Sequence, residues 1–304
     1  MVGRNVESTG TPTTSLIVST RNRPELVWDV VRSVLDGEML PTELLVVDQS
    51  DTAQTDFVER PPETTVRLRY LWNPARGLSR GRNTGIAAAT GDILVFLDDD
   101  VLVPPTWFAT IIGALADAGP RAVITGRVLP GEPEVPGGFA PSLILEDQPR
   151  VFCGRPGRDV LSSMTMAMYR SLFDEVGEFD VRLGAGSRFP SSEDNDFGYR
   201  LLEAGYTIVF DPDVLVFHRA WREPDALLPL RWAYGRGQGA YFVKHASRHD
   251  GYMWRRMARD VLRHLKRAPR RLVRNPQDGL ADIVYSLAVL AGAAQWSIAP
   301  RRRE

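Results

Sequence analysis

The chain has 304 residues, of which 43% are hydrophobic and 25% are charged, and its net charge is −1. These values are typical of a soluble globular protein with one large domain or two small ones. The near-neutral charge argues against a general nucleic-acid binder. Cys153 is the single cysteine, which excludes an intrachain disulfide and predicts a small buried thiol in a reducing compartment.

The first 35 residues predict a polar terminus, a strand and a helix. Residues 1–13 lack the apolar segment of a secretory signal, so we expect a disordered N-terminus and a cytoplasmic protein. A strand over Ser15–Ser19 runs into STRNRP, and Pro24 suits the first turn of a helix over Glu25–Leu35. No G-x-G-x-x-G follows this strand, which argues against NAD binding.

Two further strands and a helix follow. The strands are predicted over Glu43–Val47 and Val66–Leu71, and the helix over Arg80–Ala89 ends before Gly91. This alternation of strands and helices is typical of a doubly wound parallel sheet. In such a sheet, ligands bind at the edge where the carboxyl ends of the strands meet.

The chain is organised around the segment GDILVFLDDDVLVPP, Gly91–Pro105. Its apolar run, Ile93–Leu97, predicts a strand buried on both faces. Asp98, Asp99 and Asp100 follow, and three adjacent carboxylates repel one another unless water or a cation neutralises them. Two interpretations are open: a divalent-metal site that holds a phosphate ligand, or a solvated acidic turn ahead of the next helix.

The middle of the chain combines irregular segments with a second acidic position. Residues 126–160 are rich in Gly and Pro, which predicts a functional or mobile loop, and residues 184–192 form another. A helix begins at Glu193 and Asp194. Acidic residues in a first turn stabilise the helix dipole, and Ser191 with Asp194 resembles a capping box. Taken alone, both carboxylates are explained by a structural role.

The last strands before the tail end at a histidine. Ser162–Tyr169 alternates as a strand does, and two more strands are expected over Thr207–Phe210 and Val214–Phe217. The segment Asp211-Pro212-Asp213 separates those two. His218 follows directly, and taken alone it is explained as an ordinary surface or core residue.

The C-terminal region has its own charge balance. Residues 252–304 contain twelve Lys or Arg and four Asp or Glu, a net charge of +8, whereas the remainder carries −9. We predict a basic amphipathic helix over Trp254–Arg274, broken by Pro269, and an apolar helix over Leu280–Ile298. The pair fits a peripheral contact with the inner face of a membrane. It fits equally a helical hairpin packed on the rest of the chain or on a dimer partner, with solvated arginines.

Five segments together resemble the family-2 glycosyltransferases of the GT-A fold. In chain order they read VSTRNRPELVWDVVRSVL, ELLVVDQS, RGLSRGRNTGIAAATGDILVFLDDDVLVPP, SSEDNDFGYRLLEAGYTIVFDPDVLVFH and RWAYGRGQGAY. Each segment is weak alone, but five in the family's order are specific. The resemblance implies a Rossmann-like α/β fold with a mostly parallel twisted sheet flanked by helices. The implied GT-A catalytic domain covers residues 14–250, and a helical tail covers residues 251–304.

The resemblance implies an inverting transfer of a sugar from a nucleotide-diphosphate sugar to an acceptor hydroxyl. The family pattern places Thr20 and Arg21 beside the nucleotide. It places Asp48 where the carboxylate accepts a hydrogen bond from the base, and Arg82 on the donor side. The reaction is expected to belong to glycan, glycolipid or glycoconjugate biosynthesis. The membrane interpretation of the tail goes with a lipid-linked acceptor.

The remaining implied roles concern the metal and the base. Asp98 and Asp99 lie near the ribose in the family pattern, and Asp100 holds Mg²⁺ or Mn²⁺. His218 approaches the metal or the phosphate, and Asp194 is the general base. These residue types suit the chemistry, because a hard cation stabilises the leaving diphosphate and a carboxylate takes the proton of the attacking hydroxyl.

Two departures from the family pattern affect these expectations. Processive synthases carry Q-x-x-R-W, but Leu228 stands where the glutamine would precede Arg231-Trp232. We therefore expect one sugar to be added per reaction. Val101 stands where many relatives have a fourth acidic residue, which affects the predicted ligand set. The alternatives are a GT-A-like nucleotidyltransferase and an inactive nucleotide-sugar-binding or scaffold protein.

Overall fold

The computed structural model describes residues 11–54, 57 and 61–299, so residues 1–10 of the N-terminus expected to be disordered, residues 1–13, lie outside the described residues. Thr13 is described, and its backbone amide and hydroxyl donate to Asp92 at 2.9 and 2.8 Å. Nine strands in this range form one sheet. They are β1 (Thr14–Thr20), β2 (Glu43–Asp48), β3 (Arg67–Trp72), β4 (Ile93–Asp98), β5 (Val101–Leu102), β6 (Ala122–Pro130), β7 (Arg150–Phe152), β8 (Thr165–Tyr169) and β9 (Thr207–His218).

The longer helices of the described residues alternate with these strands and then follow them. They are α1 (Pro24–Leu35), α2 (Leu78–Ala88), α3 (Trp107–Ala118), α4 (Leu172–Val176), α5 (Glu193–Glu203), α6 (Leu227–His245), α7 (Tyr252–Arg274) and α8 (Pro276–Ile298). The predicted elements before residue 206 are confirmed with shifts of a few residues at their ends. The strands β5, β6 and β7 were not predicted, and the end of β6 and the whole of β7 lie in residues 126–160, which were expected to form a loop.

The sheet is parallel in its first half and mixed in its second. Its order is β3-β2-β1-β4-β8-β6-β9-β5, with β7 on β9. The strands β1 to β4 run parallel, and the register sets Thr20 beside Asp48 and Ser19 beside Asp98. β8 runs antiparallel between β4 and β6. The expected meeting of strand ends at one edge is therefore confirmed, on a mixed α/β sheet.

Both faces of the central strands are covered, which explains their continuous apolar runs. On β4, Val95 and Leu97 belong to a core that also contains α1 and α3. Leu94 and Phe96 point to the opposite face, where α2, α4 and α5 pack. This double burial fixes the end of β4, and with it the position of the three aspartates.

Three local predictions were wrong. β9 is one strand, because the β6–β9 pairing shifts register between Gly126 and Arg127 and so accommodates Pro212. A Cβ on Gly126 would lie 1.8 Å from the carbonyl oxygen of Val214, so this close approach requires glycine. Cys153 is exposed in the loop after β7 and is not a core residue.

The third wrong prediction concerns Pro269, because α7 runs through it to Arg274. Proline removes one intrahelical donor, and both Pro269 and Leu265, whose carbonyl would have been the partner, are exposed residues.

α8 lies against α6 with backbone-to-backbone contact. A Cβ on Gly239 would lie 1.9 Å from the carbonyl oxygen of Val289, and one on Gly292 would lie 2.1 Å from that of Arg236. A Cβ on Gly235 would lie 2.6 Å from the carbonyl oxygen of Tyr285, also on α8. The glycines of RWAYGRGQGAY are therefore required by helix packing, and the tail packs on the rest of the chain as one of the two interpretations predicted.

α8 is also long and apolar enough, by length and composition, to cross a membrane. The core helix of a soluble protein meets the same criterion. In this structure the Asp282 side chain on α8 is buried and receives hydrogen bonds from His264 and Arg267 of α7 at 2.6 to 2.8 Å. The helix hairpin is held by this buried ionic cluster as well as by apolar contacts.

Candidate active site

A cavity of about 980 Å³ lies at the carboxyl ends of β1 and β4. Seven of the nine residues proposed from the sequence line it: Thr20, Arg21, Asp98, Asp99, Asp100, Asp194 and His218. They lie at or directly after the ends of β1, β4 and β9 and in the first turn of α5. Residues that are scattered over about 200 positions of the sequence therefore face a single space.

The other two proposed residues, Asp48 and Arg82, lie behind the cavity wall. Asp48 is fully buried, and its two carboxylate oxygens accept hydrogen bonds from the Ser50 amide at 2.8 Å and the Tyr70 hydroxyl at 2.6 Å. Arg82 donates to Asp98 at 2.7 Å. Both residues support the wall from behind, and the contact of Asp48 with a nucleotide base stays a prediction.

The three aspartates are paired with different groups. Asp99 accepts a hydrogen bond from the Thr20 hydroxyl at 2.7 Å. Nη1 of Arg23 donates both to Asp99 at 2.9 Å and to Asp100 at 2.8 Å. Arg23 was not among the proposed residues, although it stands in the quoted segment STRNRP. The solvated-turn interpretation is wrong, because Asp99 and Asp100 are each only 7% exposed.

The pKa values of the aspartates follow their surroundings. Burial raises the pKa of Asp98 against the charge of Arg82, and burial with the charge of Asp100 raises the pKa of Asp99 to about 6. Burial also acts on Asp100, but hydrogen bonding to His218 and the charges of His218 and Arg23 outweigh it and lower its pKa. Asp100 is therefore the member that stays ionised most readily.

His218 and Asp100 converge on one point of the wall. Nδ1 of His218 lies 3.0 Å from the carbonyl oxygen of Pro141, which can only accept, so Nδ1 carries a proton. Nε2 then faces Oδ1 of Asp100 at 3.4 Å. Burial lowers the pKa of His218, but the hydrogen bond and the charge of Asp100 raise it more. An imidazole nitrogen and a carboxylate that face each other require a shared proton or a cation.

These residues fit a divalent metal that takes most of its ligands from elsewhere. Among the described residues, no group of three or more His, Cys, Asp or Glu side chains could enclose a metal ion. Magnesium commonly takes one or two carboxylates, together with water and substrate phosphates. The pair of Asp100 and His218 matches such an open site.

The end of the cavity near β1 carries unsatisfied polar atoms. Ser19 Oγ and Arg21 Nε are buried and have no hydrogen-bond partner among the described residues. Buried polar atoms in native proteins are nearly always paired, so these two atoms are suited to bind a polar ligand. Nη2 of Arg21 donates to Oδ1 of Asp51 at 2.9 Å, and this ion pair orients the Arg21 side chain.

Glu193 and Asp194 differ in their partners. Glu193 accepts a hydrogen bond from Arg82 at 3.3 Å. Within the described part of the chain, Asp194 forms no ion pair, and its Oδ1 accepts only from the Asn195 amide, at 2.8 Å. Burial and the charge of Glu193 raise the pKa of Asp194 to about 8. Asp194 is thus the carboxyl group that is free to exchange a proton.

The predicted capping box is wrong. The N-cap of α5 is Ser192, in the left-handed conformation with φ 68°, and its side chain does not cap the helix. The Ser191 hydroxyl instead donates to the carbonyl oxygen of Tyr234 on α6, at 2.9 Å. The helix start is fixed by tertiary contacts and not by local capping.

Sequence reasoning missed the part of the wall that the C-terminal helices contribute. It consists of Arg231, Tyr234 and Gln238 from α6, Asp260 from α7 and Tyr285 from α8. The segment RWAYGRGQGAY contributes to the family resemblance, but its spacing does not show which of its side chains face the cavity. The tail therefore forms part of the candidate site.

A family model described as glycosyl transferase family 2 matches residues 15–177. The chain belongs to glycosyl transferase family 2. A pre-mycofactocin glycosyltransferase of Mycobacterium tuberculosis is 28% identical over 189 residues, which are 60% of this chain and 38% of that protein. This chain thus spans well under half of that relative. A glucosyl-dolichyl phosphate glucuronosyltransferase of Haloferax volcanii is 25% identical over 226 residues, covering 67% of this chain and 68% of that protein.

Solved glycosyltransferase structures share the fold. A mannosyltransferase of Pyrobaculum calidifontis in complex with GDP-Man and Mn²⁺ superimposes with a TM-score of 0.62 and 17% identity, covering 96% of this chain and 89% of that one. S. aureus TarS 1–349 in complex with UDP gives a TM-score of 0.55 and 14% identity, covering 96% and 93%. The fold expected from the sequence, GT-A with a C-terminal helical extension, is confirmed.

Proposed function

We propose that this family-2 protein transfers one sugar from a nucleoside-diphosphate sugar to an acceptor hydroxyl, with inversion at C1. One observation carries the proposal. A single cavity is lined by a carboxylate triplet with basic partners and by Asp194, which forms no ion pair within the described part of the chain. The first suits a diphosphate with its metal, and the second suits an acceptor.

The donor end is assigned to the β1 and β4 edge. Thr20, Arg21, Asp98 and Asp99 line the cavity. In this proposal the first two would lie beside the nucleotide, and the two aspartates would face its ribose. Asp100 and His218 would hold Mg²⁺ or Mn²⁺, which would supply positive charge to the leaving diphosphate. The Mn²⁺ in the Pyrobaculum calidifontis mannosyltransferase complex supports a metal at the site of this fold.

Asp194 is assigned as the general base. As the acceptor oxygen bonds to C1, the C1–O bond to the diphosphate breaks, and the nucleoside diphosphate leaves with that electron pair. The acceptor proton moves to the Asp194 carboxylate. A single displacement inverts C1 and requires no covalent nucleophile. Glu193 is the weaker candidate, because Arg82 already binds it.

The two alternative functions lack support of this kind. A nucleotidyltransferase requires a glycine-rich basic loop after β1, and STRNRP is not one. An inactive binding protein has no need for a free carboxyl group opposite the phosphate site. We retain single addition as the mode of transfer, because Leu228 replaces the glutamine of the processive motif.

For the acceptor we propose a lipid-linked molecule at the inner face of a membrane. α7 exposes an apolar stripe at spacings of three and four residues: Ala258, Leu262, Leu265, Pro269 and Leu272. A row of exposed cations runs beside it: Arg255, Arg259, Arg263, Lys266 and Arg270. This pattern is typical of a helix that lies in the surface of an anionic bilayer. The Haloferax volcanii relative is named for a dolichyl phosphate substrate, which agrees with a lipid-linked acceptor.

The function is tested with a panel of UDP-, GDP- and dTDP-sugars and Mn²⁺, with water as the acceptor. We expect one donor to be hydrolysed, the released sugar to have the inverted configuration by NMR, and Asp194→Asn to be at least ~100-fold slower with donor affinity unchanged. The kcat/KM profile should rise with pH through about 8, because the base must be deprotonated. Retention of configuration, or native turnover by Asp194→Asn, would contradict the proposal.

A further inference from the structure

Gln238 on α6 connects the C-terminal helices to the start of α5. Its amide oxygen accepts hydrogen bonds from the Ser192 hydroxyl and the Asn195 side-chain amide, both at 2.8 Å. Its amide nitrogen donates to Oδ2 of Asp159 at 2.8 Å. Ser192 and Asn195 lie on either side of Asp194 in the chain, so Gln238 holds the turn that carries the carboxyl group at two points.

The contacts continue into α7. Nη2 of Arg256 donates to Oδ1 of Asp159 at 2.6 Å, and its Nη1 donates to the Tyr241 hydroxyl at 3.0 Å. The Arg256 and Gln238 side chains are each 6% exposed. Both oxygens of Asp159 are thus bound by groups from the C-terminal helices. Buried polar networks whose members are all paired are rigid.

The turn before α5 needs such support. Ser192 has φ 68°, a left-handed conformation that is unfavourable for a non-glycine residue. The backbone of α6 also touches this turn, because a Cβ on Gly237 would lie 2.0 Å from Ser191 Oγ. Strained conformations persist where the surroundings fix them at several points, and such positions cluster at active sites.

We propose that Gln238, supported by Arg256 through Asp159, is a positioning residue that holds Asp194 toward the reacting hydroxyl. The inference rests on the proposed function of Asp194 as the base. It makes α6 and α7 part of the catalytic machinery and not an accessory tail. Charged and titratable groups facing Asp194 come from its own helix, from α2, from the loop before β8 and from α6: Glu193, Arg82, Asp159 and Tyr234.

The first test compares Gln238→Leu with Gln295→Leu, using hydrolysis of the donor sugar that the wild type accepts. Gln295 lies on α8, where its amide oxygen accepts a hydrogen bond from Arg236 of α6 at 3.1 Å, and it does not line the cavity. We expect Gln238→Leu to lower kcat by ~10–100-fold with donor KM unchanged, and Gln295→Leu to retain the wild-type kcat. Equal rates in the two variants would overturn the proposal.

The second test uses Arg256→Met. Arg256 lies on α7 and does not line the cavity. Without Arg256, the charge of Asp159 near Asp194 is uncompensated, so the limiting pKa in the kcat/KM profile should rise by roughly one pH unit. A merely structural role would lower stability and leave this pKa in place. An unchanged pH profile in a folded Arg256→Met variant would count against the inference.

Amide hydrogen exchange separates this inference from the proposed function, because it requires no turnover. We expect Gln238→Leu to accelerate exchange in residues 190–196, and Gln295→Leu to leave these amides as in the wild type. If no donor is hydrolysed but exchange changes in this way, the coupling stands and the function fails. If Asp194→Asn is inactive but exchange and kcat are unaffected by Gln238→Leu, only the coupling is wrong.

Discussion

At the scale of single residues, the central feature is how the acidic triplet is neutralised. Arg23 bridges Asp99 and Asp100 through one nitrogen, and His218 faces Asp100 from the other side. Arg23, together with His218 when it is protonated, offsets the charge of these two buried adjacent carboxylates. Asp100 alone has its pKa lowered, so it is the member best prepared to bind a metal.

Removal of the metal or of its carboxylate should abolish transfer. We expect EDTA to stop donor hydrolysis and Mg²⁺ or Mn²⁺ to restore it. Asp100→Asn should lose at least ~100-fold in rate and bind Mn²⁺ with the nucleoside diphosphate more weakly by calorimetry. Asp117→Asn, an exposed change on α3, is the matched control and should behave as the wild type. Full turnover in EDTA would refute the metal assignment.

At the scale of elements, α6 is fixed on two sides by its glycines. Gly235 and Gly239 admit the backbone of α8, and Gly237 admits the turn before α5. Glycine inside a helix costs roughly 0.5–1 kcal/mol relative to alanine. The close contacts explain why α6 contains three glycines. These glycines allow the backbone of α8 and the turn that carries Asp194 to pack against the same helix.

Gly239→Ala and Gly113→Ala form a matched pair that tests this packing. A Cβ at position 239 would lie 1.9 Å from the carbonyl oxygen of Val289, whereas one on Gly113 of α3 meets nothing within 4 Å. We expect Gly239→Ala to lower the melting temperature by several degrees, by forcing α8 away from α6. Gly113→Ala should leave the melting temperature unchanged or raise it slightly, because alanine inside a helix is more favourable than glycine by about 0.5–1 kcal/mol. Similar melting temperatures for both variants would show that α8 does not depend on this contact.

At the scale of the whole molecule, the C-terminal helices serve two surfaces. Their inner sides complete the cavity with Arg231, Asp260 and Tyr285. The outer side of α7 exposes the apolar stripe and the row of cations described above. The two interpretations of the tail are therefore compatible, because packing on the domain leaves this side of α7 free. A molecule arranged in this way would hold its acceptor end beside a bilayer.

Membrane contact is tested by sedimentation with vesicles. We expect binding to vesicles that contain an anionic phospholipid, release at high salt because the attraction is screened, and no binding to vesicles of neutral lipid. The double variant Leu262→Gln/Leu265→Gln should bind more weakly. Val151→Gln, at an exposed position on β7, is the control and should bind as the wild type does. A protein that stays in the supernatant at low salt would contradict the membrane proposal.

The sequence by itself determined the fold and identified seven residues that line the cavity. Apolar runs that end in polar residues specify strand ends, and in parallel strands these ends meet, which brought Thr20 and Asp98 to one edge. The five segments in order were enough to predict the family, and the family model confirmed it. Such features are local in sequence, so pattern reasoning reaches them.

Only the tertiary structure decided how the site is supported. The continuity of β9 depends on a register shift opposite Gly126, and the conformation of Ser192 depends on α6. Arg23, Gln238 and Asp159 acquire their partners across long sequence separations, and their spacing in the chain carries no trace of those contacts. The physical reason is that packing and burial, and not local propensity, select among the conformations open to each segment.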